Sequence, residues 1–268
     1  MNTVTIKLKE VPELYLECES VTPDKFAGKS LEEIAALPCS EGKCNYTLGE
    51  WFEISGASGA TAAETKIEVY GPGTSKCKYF GAWMTAGEVV VNGTADMFTG
   101  AWMEGGKLHV KGDVRSFSGL QMKGGEMLVE GRAWNYLGAA YRGDWRGMQG
   151  GLIRIKGDAG SDIATFMNGG TIIIEGNADI HIGTHAEGGT IIIKGKAHRR
   201  VGGQMVKGEI YVFHGCDVMM PGFKKIEERE IEVDGEKHMF NVFIGDLGER
   251  HPKSKGQVVY GHIYTLKE

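Results

Sequence analysis

His181 and His185, four residues apart in "HIGTHAEGG", are the pair whose spacing could serve a metal ion. On a helix that spacing brings two imidazoles to one face. Here glycines punctuate the segment, Gly183 falls between the two residues, and the rings need not converge. Cys39 and Cys44 would need a second cysteine pair to hold zinc or an iron–sulfur cluster, and the other cysteines, Cys18, Cys77 and Cys216, are scattered. An odd, dispersed set without a secretory leader reads as free thiols. Carboxylates such as Glu88, Glu126, Glu130 and Glu175 could cleave a polysaccharide only if clustered on one face. They are instead interleaved with lysines. His198, Arg199 and Arg200 form a small basic knob of the kind a solvated face carries. The sequence has no Ser-His-Asp set, no phosphate loop and no dinucleotide fingerprint, and "GPG" at 71–73 is turn chemistry.

One stretch remains. "GAAYRGDWRGMQGG" (138–151) sets Tyr141, Arg142, Asp144, Trp145 and Arg146 between glycines. Trp and Arg concentrate where surfaces bind, because each offers a large contact area and directional donors. Trp145 could anchor a partner while Arg142 and Arg146 grip carboxylates, or the arginines could bind an anionic small molecule. The bland alternative is an internal Arg142–Asp144 or Asp144–Arg146 pair that stiffens the loop.

What positions this stretch is a repeat. "EVVVNGTADMFTGAWMEGG" (88–106), "KLHVKGDVRSFSGLQMKGG" (107–125) and "TIIIEGNADIHIGTHAEGG" (171–189) share a β-branched opening, a glycine at position six and a closing Gly-Gly. The sixth-position glycines, Gly93, Gly112, Gly131, Gly157, Gly176 and Gly195, are spaced by 19, 19, 26, 19 and 19 residues. The seven extra residues are "YRGDWRG" (141–147). Leucine-rich and calcium-binding repeat signatures are missing, which leaves a β-solenoid with two short strands per coil. Positions two and four are apolar in every unit, from Val89 and Val91 to Ile191 and Ile193, and face the interior. Position sixteen is Met84, Met103, Met122, Met148, Met167, Ala186 and Met205, a column of flexible core fillers. Position five runs Lys111, Glu130, Lys156, Glu175, Lys194, alternating in sign as a parallel stack requires. About seven such coils make the body.

Residues 66–215 carry the beat and residues 1–65 do not. The latter read as strands plus a short helix, "SLEEIAAL", with a capping box from Ser30 to Glu33, forming a small mixed cap. Residues 216–268 read as a closing segment that covers the far end or folds along the side. Position three faces outward and contains the apolar stripe Val90, Leu128, Ile173, Ile192, Tyr211, broken by His109 and Arg154. Such a stripe needs a cover, from the terminal segments or another polypeptide. A net charge of −5 argues against nucleic-acid binding. The lack of a basic-then-apolar start or a run of about 18 apolar residues argues for a cytoplasmic chain off the membrane.

With "GAAYRGDWRGMQGG" between the repeats, "GKSLEEIAALP" before them and "MMPGFK" after them, the chain resembles the C subunits of formylmethanofuran dehydrogenases over nearly its whole length. Its repeat alone is also similar to the C-terminal domain of the large subunit of glutamate synthase. The resemblance implies an all-β fold, a right-handed parallel β-helix, with the hand also favoured by the rule for parallel crossovers. It implies a scaffold without a catalytic centre or cofactor of its own, in a methanogen complex that reduces CO2 and forms N-formylmethanofuran. The partners it implies are an amidohydrolase-like A subunit with a dinuclear zinc site, tungsten- or molybdenum-pterin B and D subunits with iron–sulfur clusters, and ferredoxin-type subunits. A similar chain serves a formyltransferase/hydrolase complex in methylotrophic bacteria. Five cysteines and twelve methionines suit an anaerobe and favour the methanogen complex. A self-sufficient glycan-active protein and a glutamate synthase-like spacer are the rival readings.

Overall fold

The computed structural model describes residues 1–246 and 260–267. The remainder of the closing segment foreseen over 216–268, residues 247–259 and 268, lies outside the described residues. The fold is all-β, built on a 13-stranded sheet with three short α-helices among the described residues.

Most of that sheet is one parallel ladder. Position two of each coil pairs with position two of the next: Val89 with Leu108, then Met127, Ile153, Ile172, Ile191 and Ile210. The register survives the insertion, because Met127 still faces Ile153. Alternation explains the packing: Val89, Val91, Leu108, Val110, Ile172 and Ile174 are all essentially buried, as is the whole methionine column from Met84 to Met205. The closing Gly-Gly lets successive backbones touch. Gly125 has φ +84°, and a Cβ there would lie 2.7 Å from the Gly105 carbonyl carbon.

Where two strands per coil were expected, the structure forms one. Each coil gives a strand such as Glu88–Val91 or Lys107–Val110, but the second is reduced to a one-residue bridge at position eight for most of the stack. The bridges run Ala95–Val114–Ala133–Ala159–Ala178–Ala197. Beyond them, left-handed residues at positions eleven, thirteen and fifteen turn the chain too tightly for extended pairing.

Both ends of the ladder are continued and then closed. Asn2–Leu8 adds a parallel rung to Thr65–Tyr70, and Phe52–Gly56 then pairs with it antiparallel. At the other end Gly261–Leu266 stacks parallel on Lys207–Val212, and Glu236–Gly245 pairs antiparallel to it. The capping box forms as the sequence indicates: Ser30 N–H donates to Glu33 at 2.8 Å and Glu33 N–H to Ser30 Oγ at 3.2 Å.

The hairpin of Lys224–Val233 and Glu236–Gly245 lies against the outer face of the ladder. Val233, Phe240, Val242 and Tyr264 bury Ile173, Ile192 and Tyr211 in a second apolar cluster. Its turn is clipped by Asp234, which accepts from Arg154 Nη2 at 2.6 Å and lies 2.6 Å from Lys194 Nζ. Of the rest of the stripe, Val90 is buried and Leu128 half-buried. The outward charges pair diagonally as well as along their column. His109 at position three holds Glu130 at 2.8 Å, Arg154 holds Glu175, and Glu175 reaches Lys194 at 3.3 Å.

Candidate docking face

Positions eleven and fifteen carry side chains outward on the face opposite the methionine column's interior. In the N-terminal coils these are rings, except Gln121 and Ala140 at position fifteen. Tyr79, Phe98, Phe117 and Tyr136 stack with centroids 4.9, 5.3 and 4.7 Å apart, and Trp83 stacks on Trp102 at 4.6 Å. Planes within 10° of parallel match the spacing of the coils. Beyond the insertion the same positions become Asp162, Phe166, His181, His185, Arg200 and Gln204.

These residues are strained. Phe98, Trp102, Phe117, Gln121 and Tyr136 have φ of 63°, 56°, 64°, 51° and 63°. A left-handed non-glycine residue costs roughly 1–2 kcal/mol. Part of that is offset because their amides cross to the following coil: Phe117 N–H donates to Asn135 O at 3.0 Å, and Trp102 N–H to Leu120 O at 2.7 Å. The intervening glycine donates backwards, as Gly119 N–H does to Thr99 O at 2.9 Å.

The insertion folds onto this face. It leaves the coil after Ala140, whose N–H donates to Thr165 O at 3.0 Å, and rejoins at Gly147, whose N–H donates to Phe166 O at 2.8 Å. Tyr141 leans over Phe98 and Phe117, 6.5 Å from each ring. Gln121, only 8 % exposed, is the hub. Its Oε1 accepts from Trp102 Nε1 at 2.7 Å, and its Nε2 donates to Asp144 Oδ2 at 2.9 Å and to Arg146 O at 2.7 Å. Arg146 grips Asp144 with Nε and Nη2, both at 2.9 Å. These bonds hold the Asp144 carboxyl well below the usual carboxylate range; Arg146 dominates, burial opposes it and Gln121 assists. Arg142 and Trp145 project outward, Trp145 61 % exposed with the Arg146 guanidinium 5.7 Å from its ring centre. Tyr79, at the other end of the face, has its phenol pushed up to about 12 by burial, with Glu17 and Glu19 adding to it.

The residues singled out from sequence therefore separate. Tyr141, Asp144 and Arg146 join the aromatic face, while Ile173, Ile192 and Tyr211 sit under the hairpin. His181 and His185 do not converge: His181 lies 3.3 Å from Asp162 and contacts Arg200 at 3.0 Å, and His185 stacks on Phe166 at 4.7 Å. His198 is paired to Asp217 at 2.8 Å, and Arg200 with His181, so the basic knob is partly engaged. Among the described residues no group of three or more His, Cys, Asp or Glu could hold a metal ion. The five cysteines are free; burial raises the thiols of Cys18, Cys39 and Cys216, with Cys39 pushed up to about 12. Reading positions two to five and sixteen missed the aromatic columns. The recurrence of Tyr79, Phe98, Phe117 and Tyr136 every 19 residues was the available signal.

No family model matches the chain. Over 98 residues it is 45 % identical to the C subunit of the tungsten-containing formylmethanofuran dehydrogenase 2 of Methanothermobacter thermautotrophicus, covering 37 % of this chain and 36 % of that protein. Over 97 residues it is 40 % identical to the C subunit of the molybdenum-containing formylmethanofuran dehydrogenase 1 of Methanosarcina barkeri, covering 36 % and 32 %. The chain is a relative of the formylmethanofuran dehydrogenase C subunits. The matched stretch spans about a third of those relatives' length. The fold matches a chain in the crystal structure of the formyltransferase/hydrolase complex (FhcABCD) from Methylorubrum extorquens in complex with methylofuran. There the TM-score is 0.84 at 20 % identity, over 98 % of this chain and 100 % of that one. Among the described residues of this C-subunit relative, no helix is long and apolar enough to cross a membrane.

Proposed function

We propose that this chain is a non-catalytic scaffold subunit of a formylmethanofuran dehydrogenase complex, one that reduces CO2 and forms N-formylmethanofuran. We read its body as a right-handed parallel β-helix over residues 66–215, with a cap over 1–65 and a closing segment over 216–268. The observation that carries the reading is the 141–147 loop, set by Gln121 and the Asp144–Arg146 pair on a rigid ladder, in a chain whose relatives are subunits of a complex. A loop ordered before contact loses little entropy on docking, so Trp145 and Arg142 can anchor a neighbouring subunit. The tungsten- or molybdenum-pterin, iron–sulfur and dinuclear zinc centres belong, in this reading, to that neighbour and its companions. The relatives that are 40–45 % identical over about a third of the chain are dehydrogenase subunits, which supports the dehydrogenase reading over the formyltransferase/hydrolase alternative.

The test is anaerobic affinity purification of the tagged chain and of its Trp145→Ala variant from the native source, with co-purifying subunits, metals and formylmethanofuran activity quantified. The parent should bring down metal-bearing subunits and activity. The variant should dissociate from them roughly 30-fold more readily, the equivalent of about 2 kcal/mol at a buried Trp anchor. A parent chain that purifies alone, or a variant that assembles like the parent, refutes the proposal.

A further inference from the structure

The bridge register aligns a second column at position nine: Asp96, which is buried, and then Arg115, Trp134, Gly160, Asp179, His198 and Asp217, facing outward. Most neighbours in it are complementary. Arg115 lies over the Trp134 ring at 4.1 Å from its centre, and His198 pairs with Asp217 at 2.8 Å. One rung carries no side chain. Gly160 stands between Trp134 and Asp179, and a Cβ there would lie 2.3 Å from Asn135 Oδ1, which accepts from Ser161 N–H at 3.0 Å. Beside Gly160 is a cleft of about 240 Å³ lined by Arg132, Trp134, Asn135, Asp158, Gly160 and Asp179.

The cleft has a definite shape. Trp134 and Asp179 are two coils apart, so their backbones are about 9–10 Å apart, which leaves one level for a flat group between them. Arg115 covers the face of Trp134 toward the preceding coil. The other face looks across Gly160 toward Asp179. An indole face is electron-rich and attracts a cation, and a planar cation can lie parallel to it. The far wall is a carboxylate: Asp179 Oδ2 accepts from Ser161 Oγ at 2.9 Å, and a carboxylate has lone pairs for further donors. On the side, Asp158 lies 3.4 Å from Arg132, so the cation of the lining already has an anion.

We propose that this missing rung is a slot for the guanidinium of an arginine presented by another polypeptide. It would stack on Trp134 as Arg115 does from the opposite side, and donate to Asp179. A flat fork fits one level and can meet a carboxylate side-on, which an ammonium cannot do. A side chain, rather than free arginine, suits an open cleft whose lining cation is engaged and offers nothing dedicated to an α-carboxylate. The inference is independent of the scaffold reading and stands or falls on its own binding data.

The experiment follows the indole N–H resonances of the ¹⁵N-labelled full chain during titration with N-acetyl-arginine amide. Trp134→Phe assigns the Trp134 signal, and the other four tryptophans report on the fold. The Trp134 resonance should move saturably while the others stay. N-acetyl-citrulline amide, flat but neutral, should bind about fivefold more weakly, and Asp179→Asn should reduce that preference. Three results overturn the proposal: no saturable shift of Trp134, an equal response to citrulline, or free arginine binding tenfold tighter than the amide, which would make the cleft a small-molecule site.

Discussion

Gln121→Met removes the hub of the insertion while keeping nearly its volume. Gln121 makes three hydrogen bonds, to Trp102 Nε1, Asp144 and the Arg146 carbonyl, at 2.7–2.9 Å. A net contribution of about 1 kcal/mol for each neutral bond and about 1.5 kcal/mol for the one to a carboxylate gives a loss of roughly 3.5 kcal/mol. The Asp144 side chain is 22 % exposed and water can replace its bond, so an effect of about 2 kcal/mol is expected. The loss should appear as opening of the loop, since Gly147 and Met148 remain tied to the ladder through Phe166 O and Gly138 O. Native-state hydrogen exchange reads it directly. The amides of Asp144, bonded to Tyr141 O, and Arg146, bonded to Asp144 Oδ1, should exchange about 30-fold faster than in the parent, while the ladder amides of residues 127–129 and 153–155 stay within threefold. Unchanged protection at Asp144 and Arg146 would refute the reasoning and assign the loop's order to Tyr141 packing alone.

Three further outcomes are expected. Asp144 has a depressed folded-state pKa, so its contribution is complete above the unfolded value of about 4 and is lost only as pH falls through the lower folded value; protection of the Arg146 amide should therefore persist at pH 4, and its loss between pH 6 and 5 would contradict the assignment. Phe117→Ala loses two stacked neighbours yet keeps φ near 64°, whereas Phe117→Gly also relieves the strain, so glycine should be the more stable variant by about 1 kcal/mol in urea unfolding; alanine at least as stable would remove strain from the account. Asp234→Ala unclips the hairpin turn from Arg154 and Lys194, and should raise binding of a hydrophobic dye as Ile173, Ile192 and Tyr211 become reachable; dye binding like the parent's would show that the apolar cluster alone holds the hairpin.

The ladder was legible because a 19-residue beat with apolar positions two and four leaves little freedom: a one-residue slip would turn Val89 or Ile172 to solvent. The methionine column was legible for the same reason. The single-bridge side of each coil was not, since its conformation is left-handed at positions where the sequence has Phe, Trp and Tyr, residues that propensity assigns to strands. The hairpin that covers Ile173, Ile192 and Tyr211 is a contact between segments distant in sequence, and no local pattern states which face a terminal segment will choose. For the insertion, composition pointed to Tyr141, Asp144 and Arg146, but Gln121 lies in another coil and enters only through the fold.

The choice of side chains at the strained positions carries the last step. Apart from Ala140 at position fifteen of the coil that carries the insertion, positions eleven and fifteen are left-handed throughout the repeats, and glycine would satisfy that backbone at least cost. Glycine is indeed used at position thirteen, where Gly119 has φ +61° and a Cβ would lie 2.5 Å from Ile153 Cδ1. At eleven and fifteen there is room outward, and the chain places mostly Tyr, Phe and Trp, with Gln121, before the insertion and Asp, His and Arg, with Phe166 and Gln204, after it. The backbone is thus common to the coils on either side of the insertion while the surface changes character where the loop emerges. Stability does not demand that change, because a charged residue tolerates the same turn in the later coils as an aromatic does in the earlier ones. The aromatic half, with Trp83 45 % and Tyr141 51 % exposed, is the surface that the proposed docking would use. Replacing Trp83 and Trp102 together by glutamine, the residue the ladder itself uses at Gln121, should leave the coils intact but weaken assembly in the same purification that tests Trp145.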